Sequence, residues 1–218
     1  NDKEKLLLDI FCRSEREDCI SMGGLIMYEA AYPKEGLEEI LRDMSRKPRN
    51  EAERMKKNIC SLLFQENMHV SPKNIQLVSE TNQALNHIMT LYLKEGDCVI
   101  AEEPMVPDNA SIFRNKGINL VTVPMEPDGM SLAKLEAAIR KYAPKFIYTM
   151  PNYHNPTGIV MSLEKRKKLL ELAGKYCVPI LEEDSQRDFR YEGNRLPSLY
   201  AQDRYRSVIY IDSFSLTF

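Results

Sequence analysis

The chain has 218 residues, 43% of them hydrophobic and 28% charged, a make-up that supports a globular protein with enough apolar material for a sizeable core. Thirty basic against thirty-two acidic residues leave a net charge of -2, so no basic excess argues for nucleic-acid binding by this segment. No apolar run is long enough to span a bilayer, and the five cysteines are odd in number and contain no C-x-x-C pair; both features point to a reducing cytoplasm rather than a membrane, a disulfide framework or a zinc site.

In chain order, residues 1–50 carry an amphipathic patch from Lys5 to Cys12, a glycine pair at Gly23-Gly24 and a helical pattern from Lys34 to Met44. They are expected to form an N-terminal arm or linker on a larger body, residues 51–218. Residue 1 is not methionine, and the last strand-like run leads straight into a motif and stops, so the sequence is expected to be a piece of a longer protein. From Glu51 to Glu66 a period of about 3.6 puts Met55, Ile59, Leu62 and Leu63 on one helical face.

After that the chain alternates. Strand-like runs at Ile75 to Val78, Asp97 to Ala101, Ile118 to Val123, Lys145 to Thr149, Pro179 to Leu181 and Val208 to Ile211 are separated by helical patterns. The helices are expected at Thr81 to Leu93, Pro107 to Asn115, Leu132 to Tyr142 and Leu163 to Cys177. Glycines in Glu95-Gly-Asp97 and Pro127-Asp-Gly129 supply turns, and Ser131 and Ser162 stand where N-caps belong. Such alternation predicts an α/β, three-layer sandwich, with helices on both faces of a mostly parallel central sheet. In a sheet of this kind ligands bind beyond the carboxyl ends of the strands. That rule selects Ser79 to Asn82, Glu102 to Val106, Pro151 to Gly158, Glu182 to Ser185 and Asp212 to Leu216.

Several of these segments carry recognisable motifs: Pro151-Asn-Tyr-His-Asn-Pro-Thr-Gly158, Pro179-Ile-Leu-Glu-Glu-Asp184 leading to Phe189-Arg-Tyr-Glu-Gly193, and Val208-Ile-Tyr-Ile-Asp-Ser-Phe-Ser215. From about Glu51 onward the series resembles the large domain of fold-type-I pyridoxal-phosphate aminotransferases. Within them it is most similar to the aminotransferase-like domain of MocR/GntR-type transcriptional regulators and to aminoadipate and kynurenine aminotransferases. The resemblance implies that Asn155 donates to the cofactor's phenolate oxygen. It implies that Glu183, normally an aspartate, pairs with the pyridinium nitrogen, with Asp184 beside it. Thr81 and Asn82, opening a helix, resemble the phosphate-binding residues, to which Ser213 and Ser215 add hydroxyls.

Other positions depart from the family pattern. Glu80 replaces a glycine before the phosphate-binding helix, Val106 stands where an aromatic stacks on the ring, and Ser185 occupies the place of a second tyrosine. Leu216 stands at the Schiff-base lysine position, and no lysine occurs between Ser185 and Phe218 to replace it. Leucine neither bonds covalently to the cofactor nor shuttles its proton.

Three readings follow. The first is a catalytically silent, aminotransferase-like domain that binds pyridoxal 5'-phosphate, an amino-acid adduct or another small ligand non-covalently, as the effector or dimerisation part of a regulator. On that reading DNA contacts come only through an upstream domain, and a homodimer is expected. The second is a working amino-acid transaminase with an altered Leu216, and the third is a ligand-free dimer scaffold. His154 is expected to be a surface or packing residue rather than to touch a ligand, His69 and His87 show no metal spacing, and Arg190 and Tyr191 are expected to brace the domain.

Overall fold

The computed structural model describes residues 50–215 together with Cys12, Arg13, Asp18, Gly36 and residues 39–42. The chain divides into two compact units, one of residues 1–47 and 215–218 and one of residues 48–214. Among the described residues of the first, Cys12, Arg13, Gly36 and residues 39–42 are helical and exposed. The glycine pair, the patch before Cys12, the rest of the Lys34 to Met44 pattern and Leu216 lie outside the described residues.

The second unit opens with α1 (Glu51–Gln65) and continues α2 (Thr81–Tyr92), β1 (Cys98–Glu103), α3 (Pro107–Asn115), β2 (Asn119–Glu126) and β3 (Gly129–Met130). It closes with α4 (Leu132–Tyr142), β4 (Phe146–Thr149), α5 (Leu163–Tyr176), β5 (Ile180–Glu183), α6 (Leu199–Gln202) and β6 (Val208–Ile211). The strands form one sheet in the order β3-β2-β1-β4-β5-β6. All neighbouring pairs are parallel except β2 with β3. The expected mostly parallel α/β architecture is therefore present.

The strands are apolar on both sides because helices cover both faces. On one face Ile100, Ile147, Ile180 and Val208 pack with Leu135 and Ile139 of α4, Leu169, Leu170 and Ala173 of α5, and Leu199 of α6. On the other, Val99, Ala101, Phe146, Tyr148, Leu181 and Ile211 pack with Leu85 and Met89 of α2 and Phe113 of α3. Ser162 caps α5 through a hydrogen bond from the Lys165 amide, as expected. Ser131 occupies the N-cap of α4 without a side-chain cap bond.

One expectation needs correction. Ile75 to Val78 is not a strand: it pairs with nothing in the sheet, whose edges are β3 and β6. Its apolar residues lead into α2, and strand-like composition alone does not supply a ladder partner. The helix expected from Glu51 to Glu66 is present as α1, with Met55 47% and Leu62 43% exposed and Leu63 its buried residue.

The turn between β2 and β3 depends on Gly129, whose φ is +125° and whose added Cβ would stand 2.8 Å from Met161 Cγ and 3.3 Å from Met161 Cα. Met161 is buried, so it has little room to withdraw. Gly129→Ala is expected to cost roughly 2–3 kcal/mol from backbone strain and overpacking. Urea unfolding of the full chain measures it; a loss below about 0.5 kcal/mol would show that the turn relaxes.

Candidate functional site

The topology decides where ligand-facing groups collect. The chain moves from β1 outward to β2 and then returns to β4 on the other side, so the strand order reverses between β1 and β4, and a crevice opens beyond their carboxyl ends. Parallel pairing brings the segments after β1, β4, β5 and β6 to that edge, with Thr149 opposite Glu182 and Glu183 opposite Ile211. The end of α2 is fixed at the opposite edge, where Tyr92 makes a ring contact with Phe146 at the start of β4 (6.1 Å). Twelve helical residues extend about 18 Å, longer than the roughly 13 Å of a four-residue strand, so Thr81 at the other end of α2 reaches the carboxyl edge.

Side-chain alternation then sorts the polar residues at this edge between the two faces. Glu102, Thr149, Glu182 and Asp184 share the parity of Ile100, Ile147 and Ile180, on the α4–α5 face. Tyr148 and Glu183 share the parity of Phe146 and Leu181, on the α2–α3 face. The adjacent acids Glu183 and Asp184 are thus separated by the thickness of the sheet.

On the α4–α5 face each carboxylate has a structural engagement. Glu182 is fully buried and accepts hydrogen bonds from the amides of Leu199 (2.7 Å) and Tyr200 (2.8 Å), closing the start of α6. Asp184 accepts from Asn152 Nδ2 (2.6 Å) and from the Tyr210 hydroxyl (3.0 Å). Burial raises the pKa of both acids; Asp184 repels Glu182 and raises it further, while Asp212 repels Asp184 and Arg187 favours its ionised form. Asn152, Asp184, Arg187, Arg190 and Arg195 line a small polar cavity on this side.

Glu102 takes hydrogen bonds from Thr149 Oγ1 (2.6 Å) and the Met150 amide (2.8 Å), and His154 Nε2 stands 3.5 Å from its Oε2. Burial pushes the Glu102 carboxyl up to about 7 against the opposing effect of those bonds. Burial likewise lowers His154 to about 4, so the ring is neutral near pH 7. Its Nδ1 lies 2.8 Å from Thr157 Oγ1. Glu102 and His154 therefore hold the Asn155-Pro-Thr-Gly158 turn beside the carboxyl ends of β1 and β4. His154 is a packing residue, as expected, being 2% exposed.

Within that turn the Asn155-Pro156 peptide is cis. Asn155 is half-buried, and its side-chain amide takes no hydrogen bond among the described residues. Thr81, the first residue of α2, is also half-buried, and its hydroxyl is likewise unengaged among the described residues. Asn82 follows it, half-buried, with its carbonyl accepting from Asn86 Nδ2. Glu80 is the N-cap residue in extended conformation; its side chain is exposed and does not cap the helix. Val106 precedes α3, partly buried. Ser213 is partly buried beyond β6, while Ser215 is exposed and belongs to the unit of residues 1–47.

Glu183 is 5% exposed and accepts from the hydroxyl of Tyr148 on Oε2 and from Ser185 Oγ on Oε1 (3.2 Å). Asn109 of α3 donates in turn to the Tyr148 oxygen (2.7 Å). Ser185, set at a tyrosine position by the sequence, instead serves the Glu183 carboxylate. Tyr191 is 91% exposed and braces nothing among the described residues, whereas the Arg190 guanidinium lies 5.7 Å from the Tyr153 ring centroid. The residues missed from sequence are Tyr148, Asn109, Asn152 and Arg166. Tyr148 and Asn152 lie within or beside motifs, but nothing in their spacing marks their partners.

A family model described as aminotransferase class I and II matches residues 33–218. Among curated relatives, an uncharacterized HTH-type transcriptional regulator of Bacillus subtilis, YisV, is 33% identical over 150 residues, which cover 69% of this chain and 31% of the relative. A 2-aminoadipate transaminase of Thermus thermophilus is 34% identical over 149 residues, covering 67% and 38%. The chain thus spans about a third of the length of these relatives. Among solved structures, a kynurenine aminotransferase of Pyrococcus horikoshii, in complex with PMP and with KYN as substrates and KYA as products, matches with a TM-score of 0.85 at 26% identity. That match covers 99% of this chain and 56% of the other.

Proposed function

We propose, for a chain that belongs to the aminotransferase class I and II family, a role in binding a pyridoxal-phosphate-type ligand without transamination. The observation that carries this reading is Leu216 at the position that the family resemblance gives to the covalent lysine, in a chain that keeps Thr81, Asn82, Asn155 and an acid at Glu183 in the family's motif order. Those groups fit pyridoxal phosphate held non-covalently. The Asn155 amide and Thr81 hydroxyl have hydrogen-bonding capacity to spare among the described residues, and Glu183 offers a carboxylate. When bound, the group supplies an electron sink through its protonated ring.

The chain's own contributions are then separable. The start of α2, with Thr81 and Asn82, takes the phosphate through amides and a hydroxyl, and Ser213 adds a second hydroxyl. Asn155 donates to the ring oxygen, while the Glu183 carboxylate accepts a hydrogen bond from the ring nitrogen and keeps that nitrogen protonated. No basic amine in this part of the sequence moves a proton between carbons, since no lysine occurs from Ser185 to Phe218.

Likeness to an HTH-type regulator over 69% of the chain supports an effector or dimerisation role, with DNA contacts made by another part of that protein. Likeness to a 2-aminoadipate transaminase supports the alternative of an active enzyme whose Leu216 is not native. Adding pyridoxal phosphate to the protein separates them. Saturable, dialysable binding that borohydride does not fix is the expected result. A borohydride-fixed chromophore at the carboxyl edge would overturn the proposal in favour of the enzyme, and no heat of binding would leave a scaffold. Leu216→Lys alone is expected to give no measurable amino-group transfer, because Val106 and Ser185 still lack the aromatic and phenolic contacts. Appreciable turnover from that single change would show those contacts to be dispensable.

A further inference from the structure

We propose that Tyr148 and Asn109 are positioning residues that aim the Glu183 carboxylate at the cationic ring nitrogen of the pyridine-type ligand, an inference that rests on the reading above. The argument begins with the proton inventory. A tyrosine hydroxyl carries one proton, and an amide nitrogen only donates. Asn109 Nδ2 donates to the Tyr148 oxygen, so the hydroxyl's own proton goes to Glu183 Oε2. The direction of the chain from α3 through β4 to β5 is fixed, and it terminates on the acid as an acceptor.

The ring that transmits it is held in place. Tyr148 is 2% exposed and packs edge-on against Phe113 of α3, with ring centroids 5.7 Å apart, and Phe113 is itself fully buried. The hydroxyl therefore has a defined location, on the same sheet face as the start of α2.

The charge environment of Glu183 shows what it awaits. Its sheet neighbour Glu182 has two amides, and Asp184 has an amide and a hydroxyl with Arg187 nearby. Glu183 receives two hydroxyls, from Tyr148 and Ser185, and among the described residues no cation stands within ion-pair distance of it. A carboxylate has about four acceptor sites, so roughly two remain for a ligand. A buried carboxylate with neutral donors only is complementary to a ligand that brings the positive charge itself. Glutamate's extra methylene, against the family's aspartate, is accommodated by anchoring its far end to Tyr148.

The test compares two probes on the full chain: pyridoxal 5'-phosphate and its analogue with carbon in place of the ring nitrogen. The unsubstituted protein is expected to prefer the nitrogen-bearing probe. Tyr148→Phe is expected to weaken that probe about tenfold while changing the carbon analogue by less than about twofold, as for loss of a charge-assisted interaction. Asn109→Ala, which removes no core packing, is expected to shift the same preference in the same direction by a smaller factor. Equal weakening of both probes by both variants would assign Tyr148 and Asn109 a merely structural role, and no weakening of either probe would remove them from the site; each result overturns the inference. Failure of the unsubstituted protein to bind either probe would instead sink the parent reading, and it is recognised before any variant is made.

Discussion

Arg166→Met is expected to destabilise the domain by about 3–5 kcal/mol, a large share of a total that is typically about 5–15 kcal/mol. The guanidinium is 0% exposed. It donates from Nε to the Met161 carbonyl (3.0 Å), from Nη1 to the Pro197 carbonyl (3.0 Å), and from Nη2 to the Pro151 carbonyl (2.9 Å) and Asn152 Oδ1 (2.7 Å). One side chain on α5 thereby joins the segment after β4 to the segment before α6. Through Asn152 it also orients Asp184. Methionine conserves much of the volume, but it strips the Met161 carbonyl and Asn152 Oδ1 of their donor, while the Pro151 and Pro197 carbonyls keep only the Met161 amide (2.8 Å) and Gln202 Nε2 (3.0 Å), and backbone carbonyls cannot be replaced by apolar groups to compensate. Release of the buried charge, which depresses the Arg166 pKa, offsets part of the loss. Arg166→Lys is expected to recover less than half, since a compact ammonium cannot span a fork of separated acceptors. Urea unfolding of the full chain measures both; a Met variant within about 1 kcal/mol of the parent would show that the segment 150–161 is held by other contacts.

The second large effect is on pH dependence. Glu102, held near 7 by burial rather than at its ordinary 4.5, binds its proton more tightly folded than unfolded. Its contribution to stability is complete below about 4.5 and is lost as pH rises through about 7, an amount of roughly 3 kcal/mol. Raised pKa values for Glu182, Glu183 and Asp184 act with the same sign. His154 acts oppositely: lowered to about 4, its contribution is present above 6.5 and is lost as pH falls through about 4. The acids outnumber it, so the domain is expected to be more stable at about pH 5 than at about pH 8. In Glu102→Gln that difference should shrink by up to about 3 kcal/mol, although the variant is weaker overall for want of one acceptor. Urea midpoints at the two pH values supply the comparison, and an unchanged difference would mean that Glu102 stays ionised across the range.

Much of the architecture was legible. The ranges of α3 and α4 agree with the periodicity, and the strands β1, β2, β4, β5 and β6 lie within a few residues of their expected positions. Local signals suffice there because apolar runs of strand length alternate with segments of helical period. Ile75 to Val78 had the composition of a strand but no neighbour, and β3 was too short to register.

The site divides along a similar line. The identities of Thr81, Asn155, Glu183 and Leu216 are sequence facts, and Leu216 lies outside the described residues. The resemblance singled out Glu183 from its neighbour Asp184 without saying what either touches; alternation about the sheet gives one to the α2–α3 face and the other to Asn152 and Tyr210. Arg166 is the clearest case. In Lys165-Arg-Lys-Lys168 it reads as one member of a solvated run, yet helical geometry puts it in line with Leu169, Leu170 and Ala173 on the buried face. What the sequence determined by itself was the α/β order and the identities of the motif residues, Leu216 among them, because these are set by periodicity and by residue identity. Only the tertiary structure decided which acid faces which side, which arginine is buried and which hydroxyl holds Glu183, because those pairings join residues 14 to 48 positions apart and depend on how the strands lie together.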